Sequence, residues 1–187
     1  PKGLKFKYSF YVLKYKLEAM HSSSWKFLRM RPISFPTIRI ALLSHLLFQN
    51  HSFFDKVREL EDISKLKYLF DANSSSYWTN HYLFDKESKP IKKSSSESFK
   101  NMLLINVVSP FLLCYGIEKN KDSYKDKELK ILENTPFEEN KITNKWLEYS
   151  MPSKSALESQ GLLSLKRTFC EKKKCLKCPI GVKIMNY

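Results

Sequence analysis

The sequence predicts an all-α protein, a single irregular multi-helix domain over residues 1–187 with a cysteine-containing C-terminal tail. Three observations predict it. Four glycines in 187 residues are too few for a turn-rich β protein and suit long helices with few sharp reversals. Hydrophobic residues make up 42% of the chain and include 13 Phe, 10 Tyr and 3 Trp, enough to build a core and to exclude a disordered chain. Apolar residues recur at helical spacing in segment after segment, and no two segments read as a strand pair.

From Phe6 to Ala19, the residues Phe10, Leu13 and Leu17 share one helical face with lysines opposite. Ser22-Ser23-Ser24 offers N-caps for a short helix carrying Trp25, Phe27 and Leu28. Next comes Arg29-Met-Arg31-Pro32-Ile-Ser34-Phe35-Pro36-Thr-Ile-Arg39, running into the apolar stretch Ile40 to Phe48. Pro32 and Pro36 fix their own φ and push Arg31 and Phe35 out of the helical region. Ser34 is expected to cap a helix with Pro36 in its first turn, and that helix, apolar on nearly every side, is expected to be buried all round. Rigidly held Arg29, Arg31 and Arg39 suit phosphate or carboxylate. The competing reading pairs Arg31 and Arg39 with acids of the same domain.

Phe53 to Leu60 and Asp62 to Phe70 read as two short helices, the second capped by Asp62. An aromatic cluster, Tyr77 to Tyr82, contains Trp78 and His81, candidates for lining a pocket; a histidine among aromatics more commonly packs in a core. Residues 84–96, with Pro90, serines and lysines, read as a mobile loop. Glu97 to Tyr115 reads as a second core helix, stopped by Gly116. Pro110 inside it frees the carbonyl of Asn106 and predicts a kink there, which makes Asn106 a third pocket candidate. Ser123 to Glu133 is another helix. Thr135-Pro136-Phe137-Glu138 matches a capping box and predicts a helix whose apolar face is Ile142, Trp146 and Leu147. Pro152 and Ser153 are expected to open the last long helix, which runs to Phe169 with Gly161 inside it.

The formal net charge is +14. It points to a polyanionic partner, DNA or RNA first, or to an acidic partner protein or domain. Much of it lies in a basic tail, residues 170–187, and the helix before it, where Lys166, Arg167, Lys172, Lys173 and Lys174 would form a phosphate-binding patch if the tail folds. The same tail holds Cys170, Cys175 and Cys178, the last two as Cys-x-x-Cys, a metal-ligand spacing that lacks a fourth ligand in the phrase. Zinc is the expected metal, an iron–sulfur cluster its rival, and three reduced thiols the simplest reading. No Gly-rich phosphate loop, His-Glu-x-x-His or Gly-x-Ser-x-Gly occurs, so no self-sufficient active site is expected. No apolar run reads as long enough to span a bilayer, and the cysteine usage suggests a reducing cytoplasm.

Several phrases resemble the bacterial domain-of-unknown-function family 2851: Trp25 through Ala41, Tyr77-Trp78 with His81-Tyr82 and Phe84, Leu104 to Phe111 with Tyr115-Gly116, Ser159-Gln160, and Cys170 to Gly181. The chain departs from the family pattern at Ser34, Gly161 and Cys114, where Asn, Ala and a small apolar residue are expected. The resemblance, with a chain that begins at Pro1, implies the C-terminal half of a longer protein. Its N-terminal half would carry an Asp…Glu-x-Lys-like pattern reminiscent of metal-dependent nucleases. By that analogy this half would position nucleic acid for its own N-terminal half. The alternative is a structural or protein-interaction module with a metal-stapled tail.

Overall fold

The computed structural model describes residues 2–149, 151 and 153–185; Pro152, expected to open the last long helix, lies outside the described residues. The fold is largely α-helical, as the composition predicts. The chain divides into two compact units, Pro1–Ala41 with Ser74–Lys93 and Leu42–Asn73 with Ser94–Tyr187, where composition alone suggests one domain.

The first unit begins with α1 (Lys2–Tyr15). Its expected core face is exposed at Phe10 and Leu13, and Leu17 lies past the helix end. The three serines do not cap a helix. They form a 3₁₀ turn of their own, and Trp25 leaves it in extended conformation (φ −91°, ψ 97°). The arginine stretch behaves as its prolines dictate. Pro32–Ser34 is a 3₁₀ turn between Arg31 (φ −65°, ψ 139°) and Phe35 (φ −58°, ψ 143°), both extended. Helix α2 (Pro36–Gln49) starts at the proline. Its first turn closes from the Arg39 N–H to the Phe35 carbonyl at 3.0 Å. Ser34 does not serve as the cap; its hydroxyl accepts from the Arg39 guanidinium at 3.4 Å.

Helix α2 is not buried all round. Ile38, Leu42 and Leu46 form one buried stripe, while Ile40, Leu43, Leu47 and Phe48 are exposed. A strand pair is also present: β1 (His81–Leu83) pairs antiparallel with β2 (Lys86–Glu87). The reversal is carried by Asp85 at φ 56°, a left-handed position that aspartate tolerates better than most residues. The segment read as a loop thus contains a strand, and it is tied down further by Ser88 N–H to the Asn80 carbonyl (2.7 Å) and Ile91 N–H to the Thr79 carbonyl (2.9 Å).

Lys93, one of the lysines of the segment read as a mobile loop, has no exposed surface. Its ammonium donates to the carbonyls of Trp78 (2.5 Å), Thr79 (2.9 Å) and Ile91 (3.3 Å), so each of its three protons has an acceptor. The ring of Tyr82 lies 4.1 Å away, centroid to Nζ, a cation–π distance. Burial pulls the Lys93 pKa below its ordinary value.

In the second unit, α3 (Phe53–Glu59) and α4 (Ile63–Tyr68) lie where the periodicity puts them. The Asp62 carboxylate accepts from the N–H groups of Ser64 (2.8 Å) and Lys65 (3.3 Å), which is the expected cap. Lys127 of α7 (Asp122–Asn134) is buried and donates to the carbonyls of Val57 (3.1 Å) and Arg58 (2.8 Å) in the last turn of α3. Those carbonyls have no partner within their own helix, and the helix dipole there favours a cation.

Helix α5 (Glu97–Leu103), a π-helical turn (Leu104–Val108) and α6 (Ser109–Glu118) follow without a break. This run of 22 residues is long and apolar enough to cross a bilayer by length and composition, a correction to the sequence expectation; a core helix meets the same measure. The π turn and α6 of this run pack on α7, and Lys100, Leu104, Val108, Leu112 and Gly116 are buried along it. A strict four-residue step overshoots a 3.6-residue turn by about 40° each time. The π turn widens the helix within that series and keeps the stripe on one side. It also absorbs Pro110: the Ser109 N–H reaches back five residues to the Leu104 carbonyl, so the predicted kink is a π turn.

Gly116 does not stop the helix. A Cβ there would lie 3.1 Å from the Lys121 carbonyl oxygen and 3.1 Å from the Tyr124 Cβ, so the glycine permits α7 to approach closely. The core continues through Ile105, Leu132 and Ala156, with Leu157 packed against them.

The capping box at Thr135 is not realised. The Thr135 hydroxyl donates to the Ile131 carbonyl at 2.6 Å, and its own carbonyl accepts from Ala156 N–H at 2.8 Å, so the residue ends α7 instead of starting a helix. Helix α8 (Lys141–Glu148) begins later, under a capping box of Asn140 and Thr143. Helix α9 (Ala156–Leu165) begins under one of Ser155 and Glu158. Gly161, in α9, has nothing within 4 Å of where a Cβ would stand. Gly161→Ala should therefore stabilise the protein by about 1 kcal/mol, seen as a higher urea midpoint with an unchanged slope.

Candidate nucleic-acid interface

The residues expected at the site fall in both units. In the first, Arg29 and Arg31 are exposed on the turn before α2, and among the described residues neither sits in an ion pair. Arg29 has φ 60°, a strained backbone for a residue with a Cβ. Arg39 is half-buried against Ser34, and burial lowers its pKa.

Trp78 and His81 also belong to the first unit. Rings of His81 and Tyr77 stack at 4.1 Å with 7° between planes. His81 Nδ1 lies 2.8 Å from the Tyr77 carbonyl oxygen and 2.9 Å from Asn80 Oδ1. Two acceptors require that this nitrogen carry the proton, which gives His81 a structural role in holding a 3₁₀ turn, Ser76–Thr79, to β1. Trp78 packs edge-on against Tyr77 and Phe84 and lends its carbonyl to Lys93. Asn106 lies in the second unit, exposed, its amide donating to the Met102 carbonyl at 3.1 Å. Its side chain therefore braces the π turn.

The C-terminal segment of the second unit is folded. A second π turn (Lys166–Cys170), a 3₁₀ turn (Cys175–Lys177) and α10 (Pro179–Met185) succeed one another. Backbone bonds from Lys174 N–H to the Phe169 carbonyl (2.9 Å) and from Lys173 N–H to the Cys170 carbonyl (3.1 Å) close the intervening turn. The basic side chains of Arg167, Lys172, Lys173 and Lys174 are exposed on this frame. Lys166 is partly covered and ion-paired with Glu171, whose carboxyl it holds below its ordinary value.

Cys170, Cys175 and Cys178 line one small cleft of about 160 Å³ together with Trp146, Phe169 and Gly181. Cys178 is buried, while Cys170 and Cys175 are exposed. A Cβ on Gly181 would stand 2.3 Å from the Cys175 carbonyl oxygen, so only glycine lets α10 close over this turn. Among the described residues, no three His, Cys, Asp or Glu side chains are placed to hold a metal ion.

Next to this cleft, and sharing Trp146 and Cys170 with it, is a groove of about 480 Å³ lined by Lys141, Ile142, Lys145, Trp146, Tyr149 and Lys166. Lys141 and Lys145 of α8 and Tyr149 just past its end recur every four residues beside Ile142 and Trp146, so helical spacing alone aligns a lysine row with an apolar one. That row was legible in the sequence, but apolar periodicity draws attention to the core face and passes over the lysines flanking it. A larger, polar cleft of about 920 Å³ lies elsewhere in this unit, lined by Asn50, Lys56, Lys65, Asn73, Ser94 and Ser95 among others. Its residues are scattered along the chain and no motif announces them.

A family model described as Protein of unknown function (DUF2851) matches residues 1–141. The match stops before α9 and the cysteine segment, whereas the sequence resemblance extends to Gly181. No curated protein and no solved structure matches the chain.

Proposed function

We propose that this chain, which belongs to the DUF2851 family of proteins of unknown function, is a nucleic-acid-binding domain that serves a nuclease-like partner segment. The observation that carries the reading is the folded basic segment of the second unit. Arg167 and Lys172–Lys174 are exposed on a hydrogen-bonded frame, next in sequence to Lys166, which lines a groove with Lys141 and Lys145. Fixed cations in that density suit a phosphate backbone better than a loose tail would. Arg29 and Arg31 in the first unit are a second set of exposed guanidinium groups.

The test is fluorescence anisotropy of labelled single- and double-stranded DNA and RNA with the full chain, at low and at physiological salt. Binding is expected at low salt, with affinity falling steeply as salt rises. Folded protein that binds none of the four polymers at low salt overturns the proposal.

A second reading, an interaction module stapled by zinc or, less readily, by an iron–sulfur cluster, is favoured by the three thiols lining one cleft. Closure on a metal would require these thiols to draw together and recruit a fourth ligand. About one zinc per chain in protein purified without chelator, with loss of structure on chelation, would support it; metal-free protein that keeps its structure would sink it.

A further inference from the structure

We infer that the groove on α8 receives an unstacked base of a single-stranded nucleic acid, so that single strands, and not duplexes, are the ligand class. The inference rests on the nucleic-acid reading above and specifies it. The groove's walls are apolar and aromatic at Ile142, Trp146 and Tyr149, and three lysines, Lys141, Lys145 and Lys166, border them. An apolar ligand alone would leave the Lys141 and Lys145 ammonium groups, which are in no ion pair among the described residues, without counter-charge, and a phosphate alone would leave the aromatic wall uncovered. A nucleotide of a flexible strand answers both, its base against the rings and its phosphates beside the lysines. In a duplex the bases are stacked and paired and cannot enter without unstacking.

The geometry favours this occupant in two further ways. Tyr149 follows the end of α8 and is 64% exposed, so its ring is available without unfolding the helix. Lys141 and Lys145 are exposed, and neither is in an ion pair among the described residues. The volume, about 480 Å³, is within the range of small-ligand sites. Among the described residues no acidic side chain lines the groove; Lys166 is paired with Glu171, with which a phosphate would compete.

The experiment compares three probes on the full chain by anisotropy: a labelled oligothymidylate, a strand of the same length in which the central nucleotides are abasic, and a duplex. The intact strand should bind roughly tenfold or more tighter than the abasic one, the effect of losing one stacked base, and tighter than the duplex. Tyr149→Ala, confirmed folded by circular dichroism, should erase most of the difference between intact and abasic strands. Equal binding of intact and abasic strands, or preference for the duplex, overturns the base pocket and leaves the phosphate-binding reading standing. Failure of all three probes to bind removes both.

Discussion

Lys93→Met should lower the stability of the protein by about 3–5 kcal/mol, since each buried carbonyl that loses a charged donor costs about 1–3 kcal/mol. The methionine keeps the stem and the packing but removes the ammonium from three carbonyls, those of Trp78, Thr79 and Ile91, and leaves the Thr79 carbonyl with the Ile91 N–H as its donor. Those carbonyls come from both sides of the β hairpin, so the ammonium adds to the backbone bonds that hold the 3₁₀ turn Ser76–Thr79 and the segment after β2 to each other. Urea unfolding followed by circular dichroism and by tryptophan fluorescence would measure the effect. Trp78 lies beside the lesion, so fluorescence should report an earlier transition than the far-ultraviolet signal. A loss under 1 kcal/mol would mean that water replaces the ammonium at the carbonyls. Lys93→Arg is not a rescue, because a planar fork cannot point its donors at three converging oxygens as a rotating ammonium can.

The second large effect is expected at Lys127. Here the acceptors are the Val57 and Arg58 carbonyls at the end of α3, and Lys127→Met should cost about 2–4 kcal/mol by loss of two charge-assisted hydrogen bonds. A pH signature accompanies it. Burial, the main cause, lowers the Lys127 pKa, opposed by the Glu61 carboxylate at 3.7 Å. A lysine whose folded pKa lies below its unfolded value holds its proton less tightly in the native state. Its contribution to stability therefore grows as pH rises from that lowered value towards about 10.4. The methionine variant should lack this rise. A parallel pH dependence in both proteins would show that the ammonium is not desolvated in solution.

These two lysines also explain what the sequence conceals. Composition counts every lysine as surface charge, yet Lys93, Lys100 and Lys127 are buried, so part of the +14 serves the fold and not a partner. Nothing local marks Lys93 as different from Lys92, because its carbonyl partners are brought to it by the hairpin. What was legible is local. Asp62 caps α4 because its side chain and the amides it serves are two and three residues apart. The shape of the Arg31–Phe35 turn follows from prolines alone. What was not legible depends on long-range pairing. Thr135 and Ser155 begin equally good capping boxes, and only Ser155 is used, since Thr135 is already committed to Ile131 and to Ala156. For α2, an apolar composition sets how much surface could be buried, while packing decided that only the Ile38–Leu42–Leu46 stripe was. At the candidate site the cysteines and the lysines after them stood out in the sequence; Lys141, Lys145 and Tyr149 acquired meaning only when the π turn Lys166–Cys170 gave the groove its second wall.

The sequestered ammonium groups turn the protein into its own opening gauge. Amine acylation requires a neutral, accessible nitrogen, and Lys93 has neither access nor a free donor while the hairpin is closed. Its acylation rate then tracks the open population of the first unit, and that of Lys127 the population in which α7 has left the end of α3, as long as reclosing outpaces the chemistry. Timed acetylation read by peptide mass would place Lys93 and Lys127 far behind exposed lysines such as Lys172. Because the two lie in different units, their relative order would tell which unit breathes more often, with no added label.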